Sequence, residues 1–187
     1  EIIFLHHSTG NNVYSDGNVS GWFDDYNLQN STDYNITERA YPTTPYPWNN
    51  YPYDYWNLWI NNDCDSGNDN IECMNTIAAE NDVVIFKHCY PGADIEADTG
   101  NPDITSSIKS LENYKLQYRA LRDMMDSYPD NNFIVWTLVP RHRLATNSEN
   151  AQRAKEFVDW VKTDFLTEDS RDHANIAIFD FWKEIAD

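Results

Sequence analysis

Four short apolar runs punctuate the chain: Ile2 to Leu5, Val83 to Phe86, Phe133 to Val139 and Ile176 to Phe179. Each is continuous rather than alternating and rich in β-branched or aromatic residues, the pattern of strands covered on both faces of a parallel sheet. Between them the apolar positions take a helical spacing. From Thr105 to Tyr128 the positions Ile108, Leu111, Tyr118, Leu121, Met125 and Tyr128 predict a helix, capped by Thr105 or Ser106 and stopped by Pro129. A second helix is predicted from near Ser148, with Ala151, Ala154, Val158, Val161 and Phe165 along one face. A shorter one around residues 71–79 precedes the second strand. This alternation predicts a single α/β domain over residues 1–187: a three-layer α/β/α, doubly wound parallel sheet with right-handed crossovers.

Residues 11–60 break the rhythm and are expected to form an insertion after the first strand. Between Tyr41 and Trp59 they hold five of the twelve Tyr, three of the seven Trp and four of the eight Pro, so the backbone is restrained without clear periodicity. Such a segment serves either as an aromatic flap over a sheet edge or as a stacking wall for sugar rings. Trp48, Tyr53 and Trp56 are the candidate substrate-binding rings.

Thirteen basic residues against 31 acidic ones give a formal charge of −18. That field repels phosphate backbones and anionic lipid surfaces, which argues against nucleic-acid and membrane partners and leaves neutral sugars or uncharged esters acceptable. No apolar run approaches the roughly 20 residues that span a bilayer. Cys64 and Cys73 flank a polar loop and are a candidate disulfide, while Cys89 follows an apolar run and reads as a packed thiol. Asn18, Asn30 and Asn35 each open an Asn-x-Ser/Thr triplet. Three on one polar segment predict glycosylation of a secreted or cell-surface protein. Composition leaves the oligomeric state open.

Ligands of open α/β sheets sit outside the carboxyl ends of the strands. His6, His7 and Ser8 follow the first predicted strand, Lys87, His88 and Cys89 the second, Arg141 and His142 the third, and Asp180 the fourth. Four of the five histidines thus fall on one edge, and only His173 lies elsewhere. Three chemistries fit. Ser8 on a strand-to-helix turn suits nucleophilic acyl transfer with a histidine base. Histidines 6 or 7 with His88 and His142 could bind zinc, although no HExxH or Cys-x-x-Cys spacing supports a metal, and none is expected. Asp63, Asp65 and Asp69 alternate like calcium ligands but lack the spacing and terminal Glu of an EF-hand. Alternatively, Ser8 or Thr9 simply caps the next helix.

The stretches Ile2–Gly10 (IIFLHHSTG), 82–95 (DVVIFKHCYPGADI), 133–142 (FIVWTLVPRH) and 175–187 (NIAIFDFWKEIAD) together resemble the SGNH hydrolase superfamily, the GDSL-like esterases and lipases, in its divergent bacterial members. The resemblance covers most of the chain outside residues 11–60. It implies a cofactor-free ester hydrolase with Ser8 as nucleophile, and an oxyanion pocket drawn from Gly10, His6, His7, His88, Cys89 and Gly92. His6-His7 replaces the family's Gly-Asp, no asparagine follows the central strand, and no Asp-x-x-His occurs. The family's last block is therefore expected beyond Asp187; if no later histidine exists, His142 or His88 serves as base or the protein is a non-catalytic relative. An acylated carbohydrate is the expected substrate. A glycan-binding or extracellular structural protein that reuses the fold is the alternative.

Overall fold

Five strands form one sheet in the computed structural model, which describes residues 1–186. β1 (Ile2–His6), β2 (Ile36–Ala40), β3 (Val83–Phe86), β4 (Asn132–Trp136) and β5 (Ile176–Phe179) are all parallel and lie in the order β2-β1-β3-β4-β5. The helices are α1 (Thr9–Asn11), α2 (Val19–Asn30), α3 (Pro52–Trp59), α4 (Met74–Glu80), α5 (Leu111–Asp126), α6 (Ser148–Thr163) and α7 (Phe181–Ile185). The protein is therefore of the α/β class, with a parallel sheet flanked by helices. Winding reverses between β1 and β3, which leaves a crevice outside the carboxyl ends of those two strands.

Register places alternate residues on common faces. Ile3, Leu5, Val84, Phe86, Phe133, Val135 and Ile176 share one face and pack with Tyr55, Leu58, Ile77, Tyr118, Leu121, Phe157 and Val161 from the helices. Each of these large side chains stabilises the fold by roughly 1.5–3 kcal/mol through loss of apolar surface to water. On the other face the rings of Phe4, Phe179 and Phe181 gather around Trp136, with centroids 4.9, 4.6 and 4.7 Å away. Cover there is thinner than the continuous runs predict, since Phe179 remains 39% exposed.

Several boundaries differ from the sequence reading. α5 begins at Leu111, not near Thr105, and its cap is Ser110, whose hydroxyl accepts from Asn113 N at 3.3 Å. Thr105 is instead held by the Asp103 carboxylate, to which its N–H and hydroxyl both donate, an Asx-type turn that competes with helix. α6 starts at Ser148 on an Asn147 cap. β4 ends at Trp136; Thr137 N still donates to Phe179 O at 3.0 Å, and Leu138 and Val139 continue buried beyond it. The segment 11–60 is not one continuous flap: it carries α2, the edge strand β2 and α3. Cys64 and Cys73 are joined in a disulfide. Cys89 is a buried thiol that burial holds above its ordinary pKa.

Candidate functional site

β1 delivers the chain directly into a tight turn at the crevice. Ser8 follows two residues after the strand, exposed, with φ 49° and ψ −109°. A side chain pays for that backbone region in steric strain of order 1–3 kcal/mol, and such residues concentrate at working sites. The surrounding bonds over-determine the turn. Gly10 N donates to His7 O at 3.1 Å and Asn11 N to Ser8 O at 2.9 Å. Gly10 also lies flat on His6, where a Cβ would stand 2.4 Å from His6 Cβ and Cγ. The capping alternative for Ser8 is not what the structure shows: its hydroxyl caps nothing, and among the described residues no acceptor takes its N–H. Gly10 is therefore a packing glycine whose N–H is already engaged, not a free oxyanion donor.

The two histidines before Ser8 are buried and differently tied. His6 Nε2 lies 2.8 Å from Glu38 Oε2, a close contact off the line of a good hydrogen bond, while Nδ1 is free on the side facing Gly10. Burial lowers its pKa against the opposing pull of Glu38, so the ring is neutral at neutral pH. His7 Nε2 donates to Pro42 O at 2.6 Å, and its ring stacks on Trp48 with centroids 4.0 Å apart. Burial again lowers its pKa.

Behind the turn stands Lys87, only 1% exposed. Its Nζ donates to His7 O at 3.2 Å and has no carboxylate partner. Burial in a medium that disfavours charge pulls its pKa down to about 8. His88, the next residue, does not reach the crevice. It is 2% exposed among Tyr55, Phe86 and Tyr118, neither ring nitrogen has a hydrogen-bond partner, and burial drives its pKa down to about 3. Asn50, with φ 55°, ties these loops together: its carbonyl accepts from Cys89 N at 3.0 Å, and its amide donates to Tyr41 O at 2.6 Å and Tyr55 Oη at 3.1 Å.

Other sequence candidates scatter. His142 is exposed, and its Nδ1 accepts from Leu144 N at 3.3 Å. That leaves the proton on Nε2 and no carboxylate behind the ring, the reverse of what a carboxylate-oriented base requires. Gly92 is buried, its carbonyl accepting from Tyr114 Oη at 3.0 Å, and Cys89 is buried with it. Trp56 belongs to the buried face of α3, 7% exposed. Trp48 is 43% exposed on its perch over His7. Tyr53 lines an open cavity of about 370 Å³ with Tyr46, Tyr51, Asp54, Glu96 and Lys109. Asp54 is buried there, its carboxyl pushed up to about 6 by burial. Asn18, Asn30 and Asn35 are all exposed.

Among the described residues, no group of three or more His, Cys, Asp or Glu is placed to hold a metal ion. The zinc alternative fails because His88 is sealed in the core and His142 faces solvent. In the calcium-like loop, Asp63 accepts from Asn57, Asp65 from Gly67 N, and Asp69 faces Arg39. No helix of the described chain is long and apolar enough to cross a membrane. The residues that sequence reasoning missed are Glu38, Asn50 and the role of Lys87. Only Lys87 carried a signal, a lysine directly after a buried strand with no acidic neighbour in sequence. No family model matches this chain, and no curated protein or solved structure matches it either.

Proposed function

We propose that the protein is a serine ester hydrolase of SGNH type, acting at the crevice outside β1 and β3. One observation carries the reading: Ser8 sits exposed on a strained strand-to-helix turn at the crevice, and its N–H has no acceptor among the described residues. Strain of this kind presents a nucleophile at the top of an α/β sheet. Ser8 Oγ attacks the acyl carbonyl, its proton passes to a base, and the alcohol departs with that proton. Water then cleaves the acyl-enzyme and restores the serine. Of the described imidazoles beside the turn, His6 has a carboxylate neighbour in Glu38, and its Nδ1 is unbonded but buried against Gly10, so the base is not assigned to His6 or His142. Trp48 beside the turn and the tyrosine-lined cavity beyond it suit a flat, partly apolar carrier such as an acylated sugar. The disulfide and three exposed sequons support secretion or display at the cell surface.

A second reading, a glycan-binding module without catalysis, is favoured by one fact: each described histidine near the turn is engaged or buried elsewhere, and none is seated on the Ser8 hydroxyl. Reaction of the protein with a fluorophosphonate separates the two. The hydrolase reading expects covalent labelling that Ser8→Ala abolishes, together with hydrolysis of short acyl esters. Absence of both sinks it.

A further inference from the structure

A lysine buried to 1% exposure with no anionic partner costs the fold stability. Its location explains what it does. The Lys87 ammonium donates to His7 O at 3.2 Å, and the same carbonyl accepts Gly10 N at 3.1 Å. That carbonyl belongs to the peptide unit whose other end is the Ser8 N–H, which has no acceptor among the described residues. Hydrogen bonds along a peptide unit polarise one another, most of all when the donor is charged and the surroundings are dry.

We propose that Lys87 is a positioning residue for the Ser8 site: acting through the His7–Ser8 peptide, its ammonium fixes the strained turn and strengthens the Ser8 N–H as the donor that receives an oxyanion. The inference rests on the hydrolase reading and deepens it, since it supplies a charge-backed donor where no asparagine follows the central strand. A developing negative charge at Ser8 N–H interacts with the whole aligned unit, not with one amide alone. The titratable groups around Lys87 are His6 and His7 at the end of β1, and His88 and Cys89 beside it in sequence. Burial lowers the pKa of all three imidazoles and raises that of the thiol, so Lys87 is the cation of this cluster, with the Glu38 carboxylate on the far side of His6.

The experiment compares the rate of Ser8 labelling by a fluorophosphonate across pH 6 to 10 in the unaltered protein, Lys87→Met and Lys87→Arg, with denaturation midpoints measured alongside. The unaltered protein should label fastest below about pH 8 and slow above it as Lys87 loses its proton. Lys87→Met should label at least about tenfold more slowly at pH 7, without the alkaline fall, while its midpoint holds or rises because a buried charge has gone. Lys87→Arg should keep the charge and the rate and lose the alkaline fall. Equal labelling of the Met variant at every pH overturns the proposal and leaves the hydrolase reading standing. So does a loss of rate that merely follows a loss of folded protein. A rise in the unaltered protein's labelling through pH 8 makes Lys87 a base and also overturns it. No Ser8-dependent labelling in the unaltered protein overturns both.

Discussion

His88 makes the acid limb of this protein's stability calculable. Its ring is sealed among Tyr55, Phe86 and Tyr118 with no hydrogen-bond partner, and burial lowers its pKa to about 3. In the unfolded chain the same imidazole titrates near its ordinary value of about 6.5. The folded-state pKa is depressed, so the unfolded state binds the extra proton first. Stability is therefore full above about pH 6.5 and falls as pH drops toward 3. Linkage over the whole window comes to about 5 kcal/mol, and between pH 7.5 and 5 to about 2 kcal/mol. His6 and His7, also lowered by burial, add to the slope in the same direction. The perturbation that isolates His88 is His88→Leu, which cannot titrate. Urea denaturation of both proteins at pH 7.5 and 5 gives four free energies. Any packing change from the substitution shifts the variant equally at both pH values, so only the difference of differences matters. The unaltered protein should lose about 2 kcal/mol more than the variant on acidification. Equal losses would show that His88 is not held neutral in the fold, and the placement of its ring in the core would be refuted.

Two further outcomes follow from the packing. Gly10→Ala sets a Cβ 2.4 Å from His6 Cβ and Cγ, neither of which is a flexible side-chain end. Overpacking of that sort costs roughly 1–3 kcal/mol, a fall in melting temperature of about 2–4 °C per kcal/mol at this chain length, and it should also slow Ser8 labelling. A melting temperature unchanged by the substitution refutes the contact. The Cys64–Cys73 bridge closes a loop of sequence separation 9, for which chain entropy predicts a stabilisation of about 2–3 kcal/mol. The double Cys64→Ala, Cys73→Ala variant should lose that amount in denaturant titration, and no loss refutes a constraining bridge.

The strands that sequence made legible are β1, β3, β4 and β5, whose apolar residues recur without interruption because they lie inside the sheet. β2 was invisible for a physical reason. It is an edge strand, and its charged residues meet only side chains distant in sequence: Glu38 lies against His6, and Arg39 pairs with the buried Glu72 and with Asp69. The misplaced start of α5 has a similar origin. Ile108 fits the helical spacing but is 47% exposed and belongs to the preceding turn, so periodicity counted a residue that the core does not. The histidine-rich edge was readable because the strands are all parallel, so their carboxyl ends share one edge. What it did not reveal was orientation. His88 follows Phe86 at the two-residue period, and continuing that alternation one step past the strand places its ring in the same core.

That orientation sharpens what the edge is for. Buried polar side chains gather around the carboxyl ends in His6, His7, Asn50, Lys87, His88 and Thr137, as others do along α3 and α5. At the amino end the one buried histidine, His173, is bracketed by Asp126 at 2.9 Å and Asp169 at 3.1 Å, an arrangement that satisfies both ring nitrogens. The carboxyl edge is not satisfied in this way. His6 Nδ1, both nitrogens of His88 and the Asn50 amide oxygen lack hydrogen-bond partners, and Lys87 lacks a counter-ion. Each such group costs on the order of 1–3 kcal/mol, which apolar residues of similar volume would spare. A sheet selected for stability alone would bury Leu and Val at both ends. Local rules broken together at one edge, beside the one strained serine at a strand end, are what a working site produces. His88→Leu and Lys87→Met test this asymmetry from opposite sides: both should leave folding intact near neutral pH, and only the second should slow Ser8.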